Sequence, residues 1–148
     1  MIIEQDRKPK DLLPAIEHLF ELSASKIIDI EKTWTLERGA PVFTIKGKYT
    51  TRGWTDWTHG FLFGSAILQY DATGKKVFLD IGRKGTVENM ATHVSHFGVH
   101  DHGFNNYSTY GNLLRLMNEN RIPENEWERN FYSLAIKISG AVQASRWT

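Results

Sequence analysis

No cysteine occurs in the 148 residues, which excludes disulfides and thiolate metal sites and leaves the redox compartment open. Neither sign of charge dominates, with 18 lysines and arginines against 17 aspartates and glutamates. Such a chain lacks the electrostatic footprint of a nucleic-acid binder or of a protein drawn to an acidic membrane surface. No apolar run approaches the roughly 18 residues of a membrane span. The opening Met1-Ile2-Ile3-Glu4-Gln5-Asp6 puts acids where a secretion signal needs basic and then apolar residues. As written, the expected location is cytoplasmic; a periplasmic one fits a chain trimmed of its signal.

What the chain has in quantity is rings: five Trp, eight Phe and five Tyr. Aromatics at this density suit a large core, and they equally suit a cleft that stacks on the faces of sugars. The composition is that of one globular domain, residues 1–148, able to bury roughly 70% of its unfolded surface.

Spacing of three and four residues predicts an all-α fold. The first helix carries Leu12, Leu13, Ile16, Leu19, Phe20, Ile27, Ile30 and Trp34, with Pro14 in its first turn. Thr35 to Gly53 breaks the rhythm as a basic connector, in which Val42, Phe43 and Ile45 suit a short extended piece. A second helix opens at Trp54 to Phe61 and ends at Asp71-Ala72-Thr73-Gly74. A third is expected from about Lys75 to Phe97, weakened at Gly82 and Gly85 unless close packing compensates. The fourth follows His100 to Phe104 and fades at Asn118-Glu119-Asn120. Pro123 is expected to start the fifth, with a core stripe of Trp127, Phe131, Leu134, Ile138, Ala141 and Val142.

Chemistry concentrates at Val99-His100-Asp101-His102-Gly103-Phe104, where one carboxylate lies between two imidazoles just before a helix. Unpartnered N–H groups at a helix start favour an anion, so Asp101 is either a cap or a proton-transfer group among rings. The segment has an echo. His59-Gly60-Phe61 and His102-Gly103-Phe104 open two helices 43 residues apart, each with an aspartate upstream, Asp56 and Asp101. Stacked helical hairpins would bring both starts to one mouth. Glycosidic chemistry uses two carboxylates in a ring-lined cleft, and Asp56 is the similarly placed partner. Two other readings stand beside this one. His93, His96 and His100 share one side if the helix continues, which would suit zinc or iron. Alternatively, glycines and aromatics at helix starts simply let hairpins pack, giving a non-enzymatic binding module.

At these residues the chain resembles a known family. Trp57-Thr58-His59-Gly60-Phe61-Leu62-Phe63-Gly64, then Tyr70-Asp71-Ala72-Thr73-Gly74-Lys75, then His100-Asp101-His102-Gly103-Phe104 look like the opening hairpins of the unsaturated glucuronyl and rhamnogalacturonyl hydrolases, glycoside hydrolase families 88 and 105. The likeness runs from Trp54 to the end, and Ser145-Arg146-Trp147 looks like the start of the following stretch in such proteins.

The resemblance implies an (α/α)6 toroid of six helical hairpins, of which this chain would be an incomplete N-terminal portion. It implies action on unsaturated uronic acid oligosaccharides. A proton is added at C4 of the C4–C5 double bond and water at C5, and the resulting hemiketal opens to release the neighbouring sugar. No metal or organic cofactor takes part. Asp101 matches the first of the family's two important aspartates. The expected sugar-binding residues are Trp54, Trp57, His59, His100, His102 and Phe104. His102 stands where an apolar residue is common. The family's main proton donor lies on a later hairpin, beyond Thr148, so the fragment alone is expected to be inactive. Its open helical face is expected to meet the rest of the toroid or a second copy.

Overall fold

The computed structural model describes residues 8–146. Over these the chain is mostly helical with one small antiparallel hairpin, so the all-α expectation holds only in its coarser form. The proposed continuation at Ser145-Arg146-Trp147 falls partly outside the described residues.

A single 3-10 turn, Pro9–Leu12, leads into α1, Leu13–Thr33. The Asp11 carboxylate accepts the Lys8 backbone N–H at 2.9 Å and closes that turn. Only the later half of α1 packs: Ile27 is buried with Ala66 and Phe78, whereas Leu13, Ile16, Leu19 and Leu22 are exposed. The connector after α1 is a hairpin rather than a loop, β1 Ala40–Ile45 paired with β2 Lys48–Arg52. Its two-residue turn, Lys46-Gly47, has both φ values positive, the geometry that matches strand twist in a tight hairpin. Trp34 fastens the hairpin to the end of α1, donating its indole N–H to the Gly39 carbonyl at 2.8 Å and meeting Tyr49 edge-on.

Helix α2, His59–Thr73, is the central element, with Gly60, Phe63, Gly64, Ala66 and Ile67 buried. It turns through Gly74 into α3, Lys76–Asn89. The two glycines that weaken α3 in isolation are spent on close approach. A Cβ on Gly85 would lie 2.0 Å from the Phe63 ring, and one on Gly82 would lie 2.5 Å from Ile67. Contrary to the expected run to Phe97, α3 stops at Asn89. A single turn, α4 Ala91–Val94, then carries His93 and Val94 inward beside buried Met90.

Gly103–Gly111 winds as a π-helix and passes directly into α5, Asn112–Asn118. Nine residues is long for this conformation, which is rare and favours functional sites. The Tyr70-Asp71 turn proves to be a clamp across to the end of α5. The Tyr70 hydroxyl donates to the Arg121 carbonyl at 2.8 Å, and the Asp71 carboxylate pairs with Arg115 at 2.6 Å and with Arg121.

Helix α6 spans Glu126–Ala144. Asn125, not Pro123, starts it, its side chain accepting the Glu128 N–H at 3.1 Å. The helix buries Tyr132, Ala135 and Ser139. Of the expected stripe Phe131 packs on the core, meeting Tyr110 at 5.5 Å, but Trp127, Leu134 and Ile138 face outward at 62%, 54% and 37% exposure. The core joins Phe63, Ile67, Leu79, Met90, Tyr110, Leu113, Leu116, Met117 and Tyr132 from every helix except α1.

Candidate functional site

Gly60 of α2 lies on Asn105 of the π-helix, and Gly64 lies on Ser108, so the two segments run side by side in the same direction. The approach excludes any side chain at position 60, where a Cβ would be 2.4 Å from the Asn105 Cα. The Gly60 N–H, an unpartnered donor of the first helical turn, is satisfied by the Asn105 side-chain oxygen at 2.7 Å. This crossing brings both His-Gly-Phe starts to one end. Phe61 and Phe104 lie 5.7 Å apart, and Trp57 packs against them at 5.7 and 5.4 Å. All three rings remain exposed. Trp54, also exposed, sits further along, 4.9 Å from His96 and 5.6 Å from His93.

The two aspartates are not equivalent. One Asp56 oxygen accepts both the N–H and the hydroxyl of Thr58, at 3.0 and 2.5 Å, and so shapes the turn into α2. Asp101 makes no cap bond to the π-helix that follows, and its backbone carbonyl, not its carboxylate, accepts the Asn105 N–H. Its half-buried side chain, 20% exposed, has the His100 imidazole 3.4 Å away, and that ring is 80% exposed. Asp101 is thus the free carboxylate of the pair, next to a basic group and three residues from Phe104.

The histidines divide sharply by burial. His100 faces solvent. His102, expected to touch a sugar, is buried with both ring nitrogens engaged. Its Nε2–H donates to the His96 carbonyl at 2.7 Å, so in the neutral ring Nδ1 is an acceptor, and Ser139 donates to it at 2.8 Å. It is a strut between the 95–101 segment and α6. His59, also expected at the sugar, is buried as well, with its Nδ1 2.9 Å from the Nε2 of His93. Burial lowers the pKa of both rings of this pair. That of His93 falls from 6.5 to about 4, with His59, His96 and His102 adding repulsion.

Residues missed by sequence reasoning complete this cluster. Asn106 donates to the His93 carbonyl at 3.1 Å and to Ser139 at 3.2 Å, and Asn105 holds Gly60. The Asn-Asn pair directly after Gly103-Phe104 was the signal for them. The helical face proposed for a metal does not exist, because His93 lies on the separate turn α4 and His100 lies beyond any helix. Among the described residues no group of three or more His, Asp or Glu could hold a metal.

On the other side of Phe61 lies a cleft of about 400 Å³ between α1, the hairpin and α2. Ile27, Trp34, Tyr49, Phe61 and Ile81 line it with Glu31, and Asp101 does not. The carboxylate and this apolar cleft are therefore separate features, with Phe61 between them. Comparison with family models, with curated proteins and with solved structures finds no match for this chain.

Proposed function

We propose that the rings of Trp57, Phe61 and Phe104, with Asp101 and His100 beside them, form part of the sugar site of a six-hairpin glycoside hydrolase acting on unsaturated uronic acid oligosaccharides. The observation that carries this reading is the parallel crossing of α2 on the π-helix, which gathers the two echoed helix starts into one exposed platform. Parallel neighbours of this kind are what successive hairpins of an (α/α)6 toroid require, and α2 with α3 followed by the π-helix, α5 and α6 supply two of them. Flat rings suit the apolar face of a pyranose, and exposed His100 suits the sugar's own carboxylate.

In the reaction, a carboxyl group gives its proton to C4 and water adds at C5, losing a proton to a carboxylate. The hemiketal then opens and breaks the bond to the neighbouring sugar. Asp101 is one of the two groups. Asp56 is not proposed as the other, since one of its oxygens already holds Thr58. The family resemblance implies that the main donor lies on a later hairpin, and on that reading the 148-residue chain is expected to bind without turnover. The test is loss of double-bond ultraviolet absorbance with the full-length protein. Asp101→Asn is expected to lower kcat at least about a hundredfold, the range of a lost acid–base group. Wild-type turnover by that variant removes Asp101 from the reaction.

A second reading, a non-enzymatic helical module, draws support from the apolar outer faces of α1 and α6. Faces of this kind dock further hairpins in repeat assemblies, or a second copy of the chain.

A further inference from the structure

The buried histidine pair does more than fill space. His59 stands at the first position of α2 and His93 on α4, so one hydrogen bond of 2.9 Å ties the start of α2 to the segment that leads to Asp101. Met90 and Val94 are held in the core and Asn106 holds the His93 carbonyl, so the part of this segment free to move begins at Ser95. After α4 it runs without regular structure from Ser95 to His102, held by His102 on Ser139, by Gln143 and Arg146 on the Val99 carbonyl, and by Arg146 on the Phe97 carbonyl.

One proton lies between the two rings, and the pair has no good place for a third. The remaining nitrogen of His93, Nδ1, is buried without a partner, so a proton there is desolvated and unpaired. The pair's second proton is favoured on His59, which is hydrogen-bonded to the Trp54 backbone, so the site left beside His93 Nδ1 is the shared contact itself, where a further proton would oppose two N–H groups. The charged groups around the pair do not offset its burial. His96 and His102 from the following segment repel a charge there, and Asp56, which attracts His59, already accepts from Thr58. The π-helix and α6 offer neutral Asn106 and Ser139, and on the last turns of α3 the charged Lys84 and Glu88 are exposed.

We propose that the His59–His93 contact is an acid-operated latch, whose protonation frees the His93 ring and the 95–102 segment that follows it, with Asp101, from the start of α2. Above neutrality the contact is intact and Trp54 is packed on His93 and His96. On acidification the open form takes up the proton that the closed form refuses, so opening is favoured by up to tenfold for each pH unit below the free imidazole value. The latch stands on this packing alone and is independent of what the site binds.

Amide hydrogen exchange of the whole chain between about pH 7 and pH 5, corrected for intrinsic rates, tests it. Protection at His93 and across residues 95–102 is expected to fall at least tenfold more than at Leu113 and Met117 in the core. The ring resonances of His93 in wild type are expected to titrate over the same range as the exchange change. His93→Gln, which keeps a donor for His59 but does not titrate, is expected to abolish the pH dependence. The proposal is overturned by unchanged protection, by a fall shared equally with the core, by His93 titrating outside the range of the exchange change, or by the same fall in the glutamine variant.

Discussion

Two acids with similar sequence surroundings end in different roles, and the difference is one residue deep. Asp56 has Thr58 two positions on, with a hydroxyl and an N–H to offer, and its oxygen takes both. Asp101 is followed by His102 and Gly103, which offer it nothing, so its carboxylate stays available beside His100. The histidines divide by the same logic, since a ring with both nitrogens satisfied is architecture. Burying the His59–His93 pair has a cost that depends on pH. The folded value of His93, about 4, lies below the unfolded 6.5, so between these limits the unfolded chain binds more protons. Stability is therefore complete above pH 6.5 and falls as pH drops towards 4, by about 1.4 kcal/mol per unit and up to roughly 3 kcal/mol for this group. Lowered His59 adds in the same direction. Urea unfolding across this range checks the slope, and His93→Gln is expected to flatten it.

At the scale of elements, the crossing of α2 on the π-helix decides the site, and its two echoed glycines can be told apart. Gly60 has backbone where a side chain would go, whereas Gly103 has nothing within 4 Å. Gly60→Ala is expected to lose roughly 2–3 kcal/mol through overpacking. Gly103→Ala is expected to be neutral or to gain up to about 1 kcal/mol from reduced chain entropy. Thermal unfolding of both variants measures the contrast. The echo made this juxtaposition legible in advance, because equal motifs at helix starts imply equal ends. Three features were not legible. The extended piece at Val42, Phe43 and Ile45 is β1, but its partner β2 was hidden because Lys46-Gly47 is an uncommon turn pair and the strands are too short for a clear alternation. The end of α3 at Asn89 was hidden because Met90, His93 and Val94 keep helical spacing while the chain changes direction to bury them. On α6 periodicity found a genuine apolar stripe, but tertiary packing chose the neighbouring one, where Tyr132 meets Tyr110 at 5.9 Å.

Across the described residues, α2 to α6 share the main core, α1 packs on α2 and α3 in a second cluster, and apolar rows stay exposed on α1 and α6. Leu134 and Ile138 make no part of that core. Changing both to lysine is expected to shift stability by no more than about 0.5 kcal/mol per site, the range for exposed positions. If these rows dock another copy, light scattering will show wild type associating with concentration and the double variant remaining monomeric. The proposed sugar platform lies where α2 and the π-helix begin together. Its most direct test is an NMR titration of the 148-residue chain with an unsaturated uronyl disaccharide. Shift changes are expected to gather at Trp57, Phe61, His100, Asp101 and Phe104. Changes confined to Trp34, Tyr49 and Ile81 in the neighbouring cleft, or none at all, would contradict it.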